Sequence, residues 1–76
     1  NPARDKIIIH FVADKAGNIQ IKIFGIAGQE LFSKMQTAIK GPNDYSMQVA
    51  SLSQGMYYVE LSDDARNMRT KLIIEK

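Results

Sequence analysis

His10 is the only histidine of the chain, and imidazole is the side chain most often used as a general base near neutral pH. Nucleophilic catalysis also needs a nucleophile beside the imidazole and a carboxylate that orients it. The chain has no cysteine, and the G-x-S-x-G segment that exposes a catalytic serine is absent. In a run of alternating residues, His10 falls on the face opposite Ile7, Ile9 and Phe11. We therefore predict a solvent-facing strand residue without a catalytic role.

Asp63 and Asp64 form an acidic pair that could offer oxygen ligands to calcium together with Asn67. The fixed glycine and terminal glutamate of an EF-hand loop are absent around them. Paired glycosidase carboxylates would need a cleft between them, whereas the acidic residues of this chain fall in turns or on exposed strand faces. We predict that residues 63–67 form a polar hairpin loop and that no metal is bound.

The glycines Gly25, Gly28 and Gly41 do not form a phosphate-binding loop, because G-x-x-x-x-G-K-[ST] is absent and no helix is predicted to follow them. They are predicted to be turn residues. Alternation directs Tyr57 inward and Tyr58 outward, so only Tyr58 is available to a sugar ligand. The sequence therefore predicts no catalytic residues and no cofactor, and we do not expect an enzyme.

The chain has 76 residues, of which 45% are hydrophobic, and a formal net charge of +2. This length fits one domain. So small a charge, without a cluster of Lys and Arg, does not indicate nucleic-acid binding. No apolar run is long enough to cross a membrane, and because no basic segment precedes an apolar stretch, we expect no signal peptide within these residues. Because Asn1 rather than methionine opens the chain, we expect residues 1–76 to be a domain cut from a longer protein.

Hydrophobic residues recur with a period of two along most of the chain, and Ile, Val, Tyr and Phe predominate in these windows. Turn-forming residues separate the windows at positions 16–18, 25–28, 41–44, 53–55 and 63–67. The predicted strands cover residues 6–12, 18–24, 30–35, 45–50, 56–61 and 69–75. A helix over residues 29–39 is an alternative, but flanking glycines and a proline favour a strand and then a short strand near residues 37–40.

Short strands about ten residues apart, with no helices between them, predict an antiparallel all-β domain. An immunoglobulin-like β-sandwich of six to seven strands would cover both hydrophobic faces, and a small barrel is the alternative. In the last strand, Leu72 and Ile74 are expected to point inward. The predicted core consists of Ile7, Ile9, Ile19, Ile21, Ile23, Leu31, Val49, Leu52, Tyr57, Val59, Leu61 and Leu72.

Four segments carry a resemblance that covers essentially the whole chain. They are Asn1-Pro2-Ala3, Ile21-Lys22-Ile23-Phe24 followed by Gly28, Leu52-Ser53-Gln54-Gly55-Met56-Tyr57, and Thr70-Lys71-Leu72-Ile73-Ile74-Glu75-Lys76. In their order and spacing, the chain resembles the type A C-terminal sorting domains of the type IX, or Por, secretion system. That family carries Leu-x-x-Gly-x-Tyr and ends in Lys-x-x-x-x-Lys or a close variant. The chain departs from it at Gly25, where an acidic or amide residue usually stands.

The resemblance implies a non-catalytic domain at the C-terminus of proteins that Bacteroidetes secrete or display at the cell surface. Its partners would be the outer-membrane translocation machinery, a sortase-like surface peptidase that removes the domain, and the covalently linked upstream cargo domain. Neither nucleic acid nor membrane insertion is implied, and cleavage would fall close to Asn1 or upstream. The implied sorting motif consists of Gly55, Tyr57, Lys71, Leu72, Ile73, Ile74, Glu75 and Lys76, with Gly28 as a structural turn residue.

Two alternatives remain at the level of sequence. A carbohydrate-binding or adhesion module of a multidomain secreted enzyme would need an exposed aromatic platform, for which Phe24, Phe32 and Tyr58 are the candidates. A β-sandwich spacer would need no site at all. Likewise, Lys71 and Lys76 could bind a receptor through charge pairing or strand addition, or could simply keep an edge strand soluble.

Overall fold

The computed structural model describes residues 5–75 and contains six strands in two antiparallel sheets. The four-stranded sheet has the order β3-β2-β5-β6, and β1 pairs with β4 in a two-stranded sheet. This arrangement confirms the all-β sandwich. No helix occurs within residues 5–75, so none there could span a membrane, and the helical alternative for residues 29–39 is wrong. The strands are β1 (Lys6–Ala13), β2 (Gly17–Gly25), β3 (Glu30–Ala38), β4 (Gly41–Gln48), β5 (Gly55–Ser62) and β6 (Asn67–Ile74).

The core lies between the two sheets and follows the predicted alternation. In the central strand β2, Ile19, Ile21 and Ile23 are buried, and each buried isoleucine contributes roughly 1.5–3 kcal/mol of transfer free energy. The buried hydrophobic residues are Phe11, Ala13, Ile19, Ile21, Ile23, Ala38, Met47, Val49, Tyr57, Val59, Leu61 and Ile74. Partly buried residues that pack against them include the predicted core members Ile7, Ile9, Leu52 and Leu72.

Strand β3 corrects two predictions. It is continuous, so the predicted separate strand near residues 37–40 is wrong. Leu31, predicted to be in the core, is 43% exposed. The cause is a β-bulge: Ile23 pairs with Phe32, the register shifts before Phe24, and Leu31 is left without a partner. The extra residue changes the phase of the alternation, and Phe32 packs against the core instead.

Strand β4 corrects a third prediction, because residues 41–44 belong to the strand and not to a turn. Proline lacks an N–H donor and is normally confined to strand edges. The N–H of Val49 donates to the carbonyl oxygen of Asp5 at 2.7 Å, so these two residues form a hydrogen-bonded pair. In an antiparallel ladder, such pairs alternate with open pairs, whose residues are not hydrogen-bonded to each other. Counting along the register from this pair, Pro42 and Val12 form an open pair. The proline nitrogen faces the free edge of β4, where it removes no bond of the ladder.

Asn43 lies within β4 and stabilises the turn that precedes this strand. Asn43 Oδ1 accepts the N–H of Ile39 at 3.0 Å, and Asn43 Nδ2 donates to the carbonyl oxygens of Ile39 and Gly41 at 2.9 Å each. These bonds close the connection in which the chain passes from the larger sheet to the smaller one. The turn therefore forms at residues 39 and 40, just before the predicted position.

Candidate functional site

Residues 52–57 form a tight corner that leads into β5. Leu52 packs against the core, and its N–H donates to the carbonyl oxygen of Val49 at 3.0 Å. Gly55 opens β5 with a φ of +154°, which residues with a side chain rarely adopt. A Cβ at Gly55 would meet no atom within 4 Å. The backbone conformation, and not lack of space, therefore requires glycine at this corner.

The buried side chain of Tyr57 stabilises the same corner through its hydroxyl group. The residue is 7% exposed, and its hydroxyl donates to the carbonyl oxygen of Ser53 at 2.5 Å and lies 3.2 Å from the Ser53 hydroxyl. These contacts satisfy a hydroxyl in apolar surroundings and tie β5 to the segment before Gly55. Tyr58 lies on the opposite face of the sheet, as the alternation predicts.

Strand β6 lies beside this corner and contains most of the terminal motif. Ile74 is 1% exposed and Leu72 packs against the core, so the predicted inward direction of both is confirmed. The exposed members of the motif are Lys71, Ile73 and Glu75. Lys76 and the segment Asn1-Pro2-Ala3 lie outside the described residues.

The antiparallel register joins the two parts of the motif. Gly55 pairs with Ile74, and Tyr57 pairs with Leu72. The corner and the last strand are separated by the whole β5–β6 hairpin in sequence, yet they form one end of the four-stranded sheet. The structure thus places Gly55 and Tyr57 directly against the terminal segment.

One side of β6 has no partner strand within residues 5–75. At the hairpin loop, the N–H of Asp63 donates to the carbonyl oxygen of Arg66 at 2.9 Å, which fixes the alternation of bonded and open pairs between β5 and β6. The backbone groups of Arg69, Lys71 and Ile73 consequently point to the free edge. The end of the motif therefore offers both backbone and side chains to solvent.

The outer face of the sheet carries a cluster that the sequence pattern does not single out. Phe24 and Tyr58 are direct neighbours across β2 and β5. Arg69 lies over both rings, with its Cζ 5.2 Å and 5.7 Å from their centroids, and its Nη2 donates to Glu60 Oε2 at 3.0 Å. A sugar ring could stack on this pair only after displacing the guanidinium. Phe32, the third candidate for a sugar platform, packs against the core.

A comparison with models of known protein families identifies the family to which the chain belongs. The model of the family described as secretion system C-terminal sorting domain matches residues 1–75. The chain belongs to this family of type IX sorting domains. Neither a curated protein nor a solved structure matches it. As a type IX sorting signal, the domain directs export through the outer membrane to the cell surface or the extracellular space, and the family implies a Bacteroidetes source.

Gly25 ends β2 and begins the tight turn that leads into β3. A Cβ on Gly25 would lie 2.6 Å from Cδ of Gln29, so the Gln29 carboxamide already fills that space. The N–H of Gly25 donates to the Gln29 carbonyl oxygen at 2.9 Å, and the N–H of Gly28 donates to the Gly25 carbonyl oxygen at 3.0 Å. Gly28, with a φ of +93°, completes a three-residue hairpin loop. The structure therefore places Gly28 in a turn that needs glycine.

His10 lies away from the sorting motif, on the outer face of the two-stranded sheet. It faces solvent, as predicted. Its Nδ1 lies 2.5 Å from Oδ1 of Asp44, the residue directly opposite on β4. Within residues 5–75, Asp44 is the only hydrogen-bond partner of the imidazole. The pair supplies a base and a carboxylate but no bonded nucleophile.

The acidic hairpin loop bonds to its own backbone. Asp63 Oδ1 accepts the N–H groups of Ala65 and Arg66 at 2.8 Å each. These two hydrogen bonds lower the pKa of Asp63 below its ordinary value. In the part of the chain that the structure describes, no three His, Cys, Asp or Glu side chains are grouped to hold a metal ion. The loop thus has a local structural role.

Proposed function

We propose that the type IX machinery recognises this domain at the end of the four-stranded sheet where residues 52–57 meet β6. The observation that supports this proposal is the pairing of Gly55 with Ile74 and of Tyr57 with Leu72. Through these pairs, a change in the corner displaces the terminal strand, and a change in the strand displaces the corner. The two separated parts of the motif therefore act as one unit, which we call the motif end of the sheet.

The residues of the motif end divide into two roles. Side chains with little exposure cannot contact a receptor, so they act by holding β6 in position. Exposed side chains on the last strand are available for direct contact. The first group consists of Tyr57, Leu72 and Ile74, together with Gly55, which acts through its backbone conformation, and the second consists of Lys71, Ile73 and Glu75.

In this proposal the domain is a non-catalytic part of a longer secreted protein. The outer-membrane translocation machinery binds it, and a sortase-like surface peptidase then removes it close to Asn1 or upstream. The cargo is attached to the cell surface or released. The family description as a secretion system C-terminal sorting domain supports the export step of this proposal.

The experiment fuses residues 1–76 behind a reporter that carries an inner-membrane signal peptide, in a host with type IX secretion. We expect the reporter at the cell surface or in the medium, and mass spectrometry should find it without the domain. Deletion of residues 72–76 should trap the reporter in the periplasm. If the intact domain also leaves the reporter there, the sorting proposal is wrong and the spacer function replaces it.

A pair of charge reversals tests the division of roles. Lys71→Glu changes an exposed residue of the motif end, and Lys40→Glu makes the same change in the exposed β3–β4 connection. We expect Lys71→Glu to reduce the exported fraction and Lys40→Glu to leave it unchanged, with equal thermal stability of both variants. Equal export would show that the Lys71 side chain is not recognised.

A further inference from the structure

The two outer strands of the four-stranded sheet differ on their inner faces. On β3, the inner residue Lys34 places its ammonium nitrogen 5.8 Å from the centroid of the Tyr45 ring, which belongs to the facing sheet. A charge that points inward at a sheet edge opposes the addition of another strand, because that strand would bury it. The edge of β3 is therefore protected.

The inner face of β6 carries no charged side chain. Met68 and Thr70 are exposed there, and Met68 is 47% exposed beside a notch of about 20 Å³ between the sheets. A strand added next to β6 could place apolar residues over Met68 and so extend the core. Side chains that line the notch include Phe11, Ile19 and Leu61, with Asp63 and Arg66 at its loop end.

The outer side of the same edge carries Lys71 and Arg69, of which Arg69 is ion-paired with Glu60. Lys71 has no ion-pair partner within residues 5–75, and the backbone groups of Arg69, Lys71 and Ile73 point to the free edge. We propose that β6 pairs with an extended strand of a secretion partner, and that acidic and apolar residues alternate along that strand. This inference rests on the sorting function proposed above. On the outer face, an acidic residue of that strand lies opposite Lys71, while its inner apolar residues cover Met68.

The positive charges of β6 favour pairing with such an acidic strand and oppose pairing with β6 of a second copy of the chain. In the antiparallel registers that overlap most of β6 with its copy, Arg69 lies opposite Lys71, or Lys71 lies opposite itself. Like charges directly opposite each other destabilise a strand pair. Registers that avoid this contact pair only the last part of the strand. An acidic strand has no such restriction along the full length of β6.

The test uses the 76-residue chain and a synthetic peptide of roughly eight residues in which Val and Glu alternate. NMR titration should shift the amide signals of Arg69, Lys71 and Ile73 and leave that of Met35 on β3 unchanged. A peptide with Lys in place of Glu should bind at least about tenfold more weakly, as should the Val-Glu peptide to Lys71→Glu. N-methylation of the peptide backbone at alternate positions should also abolish binding.

Two proline variants test the backbone contact at unchanged charge. Ile73→Pro removes an N–H that faces the free edge and spares the ladder to β5, as Pro42 does on β4. The same alternation, carried across β5 and β2, places the N–H of Met35 at the free edge of β3, so Met35→Pro is the matched control. We expect Ile73→Pro to lose peptide binding by at least about tenfold and Met35→Pro to retain it, with both chains folded by circular dichroism.

Three outcomes would overturn the inference. They are equal binding of the Val-Glu and Val-Lys peptides, unchanged binding by Ile73→Pro, and self-association of the chain through β6 in sedimentation experiments. The export assay separates this inference from the proposed function. If the intact fusion is exported and the Val-Glu peptide does not bind, only the strand-docking inference is wrong. If the intact fusion stays in the periplasm, the sorting proposal itself is wrong.

Discussion

The two ends of the β5–β6 hairpin are stabilised by different kinds of contact. At the loop end, Asp63 accepts two backbone N–H groups of its own loop. At the motif end, Gly55 and Tyr57 lie against Ile74 and Leu72, far along the chain. The loop end depends on neighbours in sequence, whereas the motif end exists only when distant strands are packed. Substitutions at the motif end should therefore cost the most stability, and the following variants test this difference from the largest expected effect to the smallest.

Ile74→Ala should lower the free energy of unfolding by about 2–5 kcal/mol, because it leaves a cavity at a fully buried position. Urea denaturation measures the change. The control is Ile73→Ala on the adjacent, 51% exposed residue, for which we expect a change within about 0.5 kcal/mol. Equal effects of the two substitutions would show that burial does not hold the motif end.

Gly55→Ala should destabilise the domain by about 1–3 kcal/mol, since alanine strains a backbone with a φ of +154°. Gly17→Ala is the matched control, because Gly17 has no positive φ and its Cβ would also meet no atom within 4 Å. That control should be neutral or slightly stabilising. A thermal midpoint for Gly55→Ala equal to that of Gly17→Ala would refute the conformational role of Gly55.

Tyr57→Phe should cost about 1 kcal/mol, because it removes the hydrogen bond to the Ser53 carbonyl oxygen and preserves the packing of the ring. Tyr58→Phe should leave the free energy of unfolding unchanged, since no hydrogen bond of its hydroxyl occurs within residues 5–75. Paired urea curves of the two variants provide the measurement. A loss of stability in Tyr58→Phe alone would contradict the assignment of inner and outer rings.

Asp63→Asn should have the smallest effect, and it should depend on pH. Because hydrogen bonds lower the pKa of Asp63 in the folded state, its stabilisation is present above the ordinary aspartate pKa and is lost as the pH falls through the lowered value. Urea midpoints between pH 7 and about pH 3 should therefore fall less steeply in Asp63→Asn than in the unmodified chain. A profile of Asp63→Asn with the full slope would exclude the loop bonds as its cause.

Much of the fold could be predicted because a strand places alternate residues on opposite faces. This periodicity predicted the burial of Ile19, Ile21 and Ile23 and the opposite directions of Tyr57 and Tyr58. It failed where an extra residue shifted the phase of the alternation, and where a proline, which usually breaks a strand, was tolerated at a strand edge. The bulge at Leu31 and the edge position of Pro42 both depend on neighbouring strands.

The candidate site was predictable to a similar extent. The motif order indicated the sorting family, which the match over residues 1–75 confirms. The roles within the motif were not predictable from spacing, because the sequence does not say that the Tyr57 hydroxyl bonds to Ser53. Nor could the sequence show that Arg69 bridges Glu60 and two aromatic rings, since that contact requires three strands in one register.

The sequence by itself determined the β-rich character, the inward residues of most strands and the family, because alternation and motif order are properties of the local chain. Only the tertiary structure decided that Gly55 and Tyr57 lie against the terminal strand, that Lys34 protects the edge of β3, and that β6 is the edge without an inward charge. Strand register and sheet order are set by the simultaneous packing of segments that are distant in sequence. No local pattern contains that information.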